Sequence, residues 1–383
     1  MKCHKQHLYN ILTAIFLLAL SLLPDRANAQ NDSLKISVLT VSKGVEVHSL
    51  FGHTAIRVRN INQHTDIVYN FGLFDFDTPF FFYKFLSGKL PYALGTHKYY
   101  DFLKIYASQN RRIDEQHLSL KIYDKIKISD TLRYLYKPEN RKYKYEFFDK
   151  NCTSIVRDIL LKSTGNYDTL KQLKDTITYR GMLNLYLENR PWYKLGINLI
   201  TGTYVDKKLN QVEAMALPDM FMNQLNTINY NGHSIVYKHN TITKKESSSY
   251  KVGNVLSPFN VFVVLIILYL IFKSRWIKYS IAVYSSLLGL FLMFLWVITE
   301  HIDLQSNWDV LIFNPLYFVL FCDILKCKKV IRPIAIILLL LLLIRAIISL
   351  IGVQEIIVAY IPMIVLEAII LVNVAKSPDL KIH

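Results

Sequence analysis

Beyond residue 255 the chain consists largely of Ile, Leu, Val and Phe, arranged in five runs at about 256–272, 279–299, 310–325, 331–350 and 355–374. Each run is near the roughly 20 residues that a helix needs to cross a hydrocarbon core. A stretch of this kind cannot stand in water, so the expectation for residues 256–383 is an all-α bundle of five transmembrane helices. The chain of 383 residues is 52% hydrophobic, which sets it apart from disordered and ordinary soluble proteins. Short charged loops separate the runs. Lys273, Arg275 and Lys278 follow the first, and Lys326, Lys328, Lys329 and Arg332 follow the third. Glu300, Asp303 and Asp309 fill the second loop and Glu355 the fourth. Basic loops stay on the cytoplasmic side, so the N-terminal half and the second and fourth loops are expected outside and the C-terminus inside.

The N-terminus points the same way. Lys2 and Lys5 precede an apolar run from Ile11 to Leu23, and Ala27-Asn28-Ala29 provides the small-x-small pattern of a signal peptidase site. Residues 1–29 therefore read as a signal peptide, which places residues 30–230 outside the cytoplasm as a folded domain. That domain reads as α+β. Strands are expected near 35–41, 54–59, 66–72, 112–119 and 143–148, and helices near 98–109, 151–163, 180–189 and 211–226. Residues 231–255, rich in Asn, Lys and Ser, read as a linker that would let the domain move relative to the bundle.

Four cysteines are present, and only Cys152 falls in the exported domain; Cys3 lies in the signal segment, and Cys322 and Cys327 lie at the third run. An exported cysteine without an intramolecular partner is not a structural disulfide. It is a packed hydrophobe, an intermolecular crosslink, a chance residue or a nucleophile. Asn151-Cys152-Thr153-Ser154 precedes an apolar pattern of helical spacing, so Cys152 sits at a helix N-terminus, where unpaired N–H groups stabilise a thiolate. A nucleophilic thiol also needs a base. Among seven exported histidines, at 48, 53, 64, 97, 117, 233 and 239, His53 stands out. It follows Gly52 and opens the alternating strand Thr54-Ala55-Ile56-Arg57-Val58. The group that orients it is expected from the next strand or its continuation, as Asn70 or Asp75, with turn capping the competing role for both.

These stretches together resemble a known family. Phe51-Gly52-His53-Thr54-Ala55-Ile56-Arg57-Val58, Val68-Tyr69-Asn70-Phe71-Gly72 and Asn151-Cys152-Thr153 with Arg157-Asp158 are similar to the bacterial lipoprotein N-acyltransferases called Lnb. Glu115-Gln116, Pro191-Trp192, Gly202, Asp206, Leu217-Pro218-Asp219, His301, Asn307-Trp308 and Asn314-Pro315-Leu316 extend the match. The pattern departs from the family's at His48, Lys150 and Asn198. The resemblance implies a permuted papain-like domain, histidine before cysteine, with Cys152 as nucleophile and His53 as base. It implies a membrane phospholipid as acyl donor and the α-amino group of a diacylated lipoprotein as acceptor, with the enzyme in the inner membrane. Helix-start N–H groups, joined by the Asn151 amide, would hold the oxyanion.

Composition favours a lipid substrate. Residues 30–256 hold 32 Lys and Arg against 21 Asp and Glu, a surplus of 11, and a basic surface above a bilayer attracts anionic head groups. The run from Phe74 to Leu86, with Phe80, Phe81 and Phe82 at its centre, reads as an interfacial anchor, as the lining of an acyl groove or as domain core. With His301 and Trp308 beside the second outer loop, these are the candidate membrane-side contacts. No spacing matches a zinc site, a phosphate loop or a dinucleotide fingerprint, so no cofactor is expected. No nucleic-acid module is recognisable. The competing readings are a cell-envelope cysteine amidase or hydrolase, and a membrane scaffold that makes no use of Cys152.

Overall fold

A computed structural model describes residues 33–244, 256–323 and 328–376. The expected signal peptide, residues 245–255 of the expected linker and Lys326 of the basic loop lie outside the described residues. The N-terminal half carries a seven-stranded antiparallel sheet made from β1 (Leu34–Val41), β2 (His53–Asn60), β3 (Thr65–Leu73), β4 (Pro91–Lys98), β5 (Ile113–Leu118), β6 (Lys142–Lys144) and β7 (Val236–Thr243). Their order in the sheet is β7-β5-β1-β2-β3-β4-β6. Four of the five expected strands appear close to their expected bounds, and the fifth, near 143–148, is shortened to Lys142–Lys144. Between them fall α1 (Phe81–Leu86), α2 (Tyr99–Ser108) and α3 (Ile122–Tyr136), and after them α4 (Cys152–Thr164), α5 (Tyr179–Tyr186), α6 (Pro191–Ile200) and α7 (Pro218–Leu225).

Alternation along the strands decides which helix covers which face. Ile36, Val38, Ile56 and Val58 pack with Val156, Ile159 and Leu160 of α4 and Ile128 and Leu132 of α3. Leu39, Val41, Ala55 and Val68 face the other way, onto Phe102 of α2. Both faces of the central strands are thus covered. The third cluster, around Leu50, Phe148, Tyr179, Met182 and Leu217, lies beyond the sheet and joins α5 to the loop before β2.

The expected linker is corrected in part. Residues 236–243 form β7, which pairs with β5 from Val236 opposite Leu118 to Thr243 opposite Ile113. Its Lys-His-Asn-Thr composition resembles a linker because it is an edge strand, with most side chains exposed.

In the membrane half, Arg275–Ile298, Val330–Leu350 and Val358–Lys376 are helices long and apolar enough to cross a bilayer, and Pro258–Phe272 is a shorter apolar helix. The helices are α8 (Pro258–Phe272), α9 (Arg275–Ile298), α10 (Lys328–Leu350) and α11 (Ile361–Lys376). The expected third span, 310–325, differs: it is built from 3-10 segments, Trp308–Leu311 and Pro315–Asp323. Pro315 lacks an N–H and disfavours helix at the residue before it. Asn314 stands in instead, donating from Nδ2 to Val310 O at 3.2 Å and accepting from Leu316 N at 3.0 Å. The longer 3-10 rise of about 2 Å per residue lets a short segment cover more depth. Two fully buried ionisable groups of the bundle each find a partner. Arg345 meets Asp309 at 2.8 Å and Ser285 donates to Glu367 at 2.5 Å, so Arg345 and Glu367 satisfy separate partners.

The two halves are directly joined. Gly202 N donates to Asp303 O at 2.8 Å, and Asn307 Nδ2 to Leu199 O at 2.7 Å. Gly202 is required by the approach itself, since a Cβ there would stand 1.7 Å from Gln305 O. Behind this seam the fully buried Arg180 forks onto Asp206 at 2.7 and 2.8 Å and reaches Asn198 Oδ1 at 2.8 Å. Asp206 also accepts from Glu355 N of the fourth loop at 3.3 Å. The expectation that the linker lets the domain move relative to the bundle therefore gives way to a domain docked on the second and fourth loops of the bundle.

Candidate active site

Helix α4 starts at Cys152 because Asn151 caps it. Asn151 Oδ1 accepts from Thr153 N at 2.7 Å and Ser154 N at 2.8 Å, while Ser154 Oγ accepts from Asn151 N at 2.8 Å, a reciprocal capping box. Both remaining donors of the Asn151 amide are also committed, to Phe147 O at 2.5 Å and Ala216 O at 3.0 Å. From sequence this amide is a candidate to join the helix-start N–H groups in holding an oxyanion. The structure instead commits the whole side chain elsewhere, its oxygen to the start of α4 and its nitrogen to Phe147 O and Ala216 O.

Strand β2 brings His53 to that helix start. Gly52, at φ 82°, makes the turn, and its missing Cβ would have stood 2.8 Å from Val41 O. Two residues on, Thr54 Oγ1 lies 3.0 Å from Thr153 Oγ1, tying the strand to α4 beside the cysteine. Burial alone would push the Cys152 thiol up. The His53 imidazole, through its charge and a hydrogen bond, outweighs that with help from the Thr54 N–H and the Thr153 hydroxyl, and brings the thiol down to about 7.

Asn70, on the neighbouring strand β3, holds the imidazole: its Oδ1 lies 2.6 Å from His53 Nε2. The carbonyl oxygen can only accept, so Nε2 carries the proton and Nδ1 is the basic nitrogen. Asp75, the other sequence candidate, takes no part in this. It is exposed and accepts from Asp77 N at 2.9 Å, the turn-capping role.

One contributor was not singled out from the sequence. Tyr106 of α2 stacks on the His53 ring, with centroids 5.9 Å apart and planes at 25°, and its hydroxyl accepts a hydrogen bond from the Asn70 amide. The Asn70 amide is thus fixed in the orientation that presents oxygen to His53. The signal was available: Phe102 and Tyr106 lie four residues apart on α2, so both turn toward the sheet, and their rings are 4.8 Å apart. Burial, with a smaller contribution from Cys152, pushes the Tyr106 phenol up to about 12.

Other candidates fall elsewhere. His117 and His239 face Glu115 and Asp114 at 3.9 and 3.3 Å. Glu115 is a structural hub that accepts from Ser37, Arg57 and Tyr99 at 2.5–2.8 Å. His301 Nε2 lies 2.9 Å from Phe85 O, and Trp308 stacks edge-on against Trp296 at 6.0 Å. Phe80 and Phe82 are exposed and Phe81 is half-buried.

Comparison with known proteins agrees with this layout. The Lnb N-terminal periplasmic domain matches residues 24–184, and the Lnb transmembrane domain matches residues 250–376. No curated protein and no solved structure matches the chain. With both modules present, in order and over most of its length, the chain belongs to the Lnb family.

Proposed function

We propose that this protein is a lipoprotein N-acyltransferase of the inner membrane, with its Cys–His domain in the periplasm in permuted papain-like order and its C-terminus in the cytoplasm. The observation that carries the reading is the Cys152–His53–Asn70 series, at the N-terminus of a helix, in a domain docked on a membrane bundle. A thiol at about 7 is substantially ionised at neutral pH and remains a good nucleophile.

In the first half-reaction the Cys152 thiolate attacks the carbonyl carbon of a phospholipid acyl ester. The Asn151 cap occupies the N–H groups of Thr153 and Ser154, which leaves the Cys152 N–H as the oxyanion donor at the helix start. When the carbon–oxygen bond breaks, the His53 imidazolium gives its proton to the departing alkoxide, leaving a lysophospholipid and a Cys152 thioester. In the second half-reaction an amine attacks the thioester. The carbon–sulfur bond breaks, His53 takes the amine's proton, and the thiolate is restored. The acceptor, the α-amino group of a diacylated lipoprotein, comes from the family resemblance.

The test is mass spectrometry of lipoprotein N-termini in cells whose sole candidate N-acylating enzyme is this protein, as wild type and as Cys152→Ser. Wild-type cells should yield N-acylated termini and the mutant free amines. Free amines in both would move the Cys–His site toward a hydrolase, and N-acylation in both would remove Cys152 from the mechanism.

A further inference from the structure

The aromatic run between β3 and β4 is not domain core. Phe80 and Phe82 are 81% and 78% exposed, and Phe76, Tyr83 and Phe85 lie exposed beside them. Their rings form one patch: Phe76 and Phe81 are 5.1 Å apart, Phe81 and Phe82 5.5 Å, and Phe81 and Phe85 6.1 Å. An apolar patch of this kind marks a surface that something apolar covers. Phe80 also holds φ at 57°, a conformation that strains a bulky side chain and persists only where the surroundings enforce it.

What covers the patch follows from where it is clamped. Span α9 ends at Ile298, and the next three residues all bind the helix that carries the patch. Thr299 Oγ1 donates to Leu86 O at 2.9 Å, Glu300 N to Ser87 O at 3.0 Å, and His301 Nε2 to Phe85 O at 2.9 Å. Lys144 reinforces the seam through Glu300 at 2.9 Å. The exposed rings thus sit at the outer end of a membrane span, at the level where aromatic side chains occupy the bilayer interface.

From the patch the rings continue inward. Phe81 is 5.9 Å from Phe74, Phe74 is 5.2 Å from Tyr92, and Tyr92 stacks on Tyr145 at 4.4 Å. Tyr143 and Tyr145, at the inner end, lie within electrostatic reach of Cys152.

We propose that α1 is a wedge dipping into the outer leaflet, and that the series Phe81, Phe74, Tyr92, Tyr145 is the path by which a lipid acyl chain passes from the leaflet to Cys152. The occupant is the hydrocarbon tail, which this ring series recognises by apolar contact. The inner end rests on the acyl-transfer reading above, whereas the outer end stands on membrane geometry alone.

The experiment uses the full chain in vesicles containing phosphatidylethanolamine with a photoactivatable diazirine in its acyl chain, followed by peptide mapping, on wild type and Cys152→Ser. Crosslinks within residues 80–85 and at Phe74 or Tyr92 are expected in both. Crosslinks confined to the spans overturn the proposal, and crosslinks on α1 without Phe74 or Tyr92 overturn the path. Because labelling does not need the thiol, this outcome is independent of whether Cys152 is the nucleophile. A Phe82→Ser/Phe85→Ser variant should form acyl-enzyme from bilayer lipid about tenfold more slowly, with iodoacetamide alkylation of Cys152 unchanged as proof of folding. An unchanged acylation rate would count against the wedge.

Discussion

Asn70 Oδ1 lies 2.6 Å from His53 Nε2 and, able only to accept, keeps the proton of the neutral imidazole on that nitrogen and leaves Nδ1 bare. The same amide donates to Tyr106. The order of the imidazole thus depends on residues from two strands and α2, and each can be removed separately.

Asn70→Ala deletes the acceptor for Nε2–H. The imidazole is then free to rotate and to change tautomer, and acyl transfer should fall on the order of 10²-fold, within the range assigned to a positioned general base. Donor KM should change little, because Asn70 is buried behind the histidine. Steady-state kinetics on both parameters checks this, and a loss carried by KM alone would contradict it.

Tyr106→Phe keeps the ring stacked on His53 and removes only the hydroxyl that holds the Asn70 amide. One lost hydrogen bond of about 1 kcal/mol predicts a fall of about fivefold in kcat. A purely packing role for Tyr106 would leave kcat and its pH profile unchanged, so the two are told apart by the phenylalanine variant alone.

The Cys152 thiol is drawn down to about 7 chiefly by His53, against the effect of burial. The rate of iodoacetamide alkylation should therefore rise with pH through a midpoint near 7. In His53→Ala the burial effect is no longer opposed by the imidazole. The midpoint should then rise toward or beyond the ordinary cysteine value of about 8.5. A midpoint that stays near 7 would assign the shift to the helix start instead.

At the seam between the halves, Asp303 is buried, with one carboxylate oxygen unpartnered, and lies near Asp149 and Glu146. Burial first, then those two carboxylates, raise it to about 7. The folded state therefore holds a proton that the unfolded chain releases near pH 4. The resulting loss of stability begins above pH 4, grows up to about 7 and is constant above that. Asp303→Asn should stabilise the protein by about 1–3 kcal/mol at pH 8 and not at all at pH 4. Thermal unfolding of the two proteins at the two pH values measures this.

The chemistry-bearing parts were legible where residue type and local periodicity coincide. Cys152 follows a capping Asn and precedes a helical apolar pattern, and His53 opens an alternating strand. Asn70, Asp75 and Asn151 were not separable from sequence, because an Asx side chain accepts a hydrogen bond in the same way whether it caps a helix, closes a turn or orients an imidazole. Only the fold shows that Asn151 Oδ1 caps α4 while its Nδ2 binds Phe147 O and Ala216 O, and that Asp75 accepts from Asp77 N. β7 was hidden because an exposed edge strand has no apolar face to read. The 3-10 segments between α9 and α10 were hidden because hydropathy is blind to the Asn314–Pro315 break. The docking of the two halves rests on Gly202 and on buried Arg180, residues without a local pattern.

The most direct test is the intact mass of the purified protein after incubation with a phospholipid of defined acyl chains and no amine acceptor. A Cys152 thioester predicts a mass increase of one acyl group, removed by hydroxylamine and absent from Cys152→Ser. Release of lysophospholipid with no adduct on the wild-type protein, or an equal adduct on Cys152→Ser, would contradict a Cys152 acyl-enzyme.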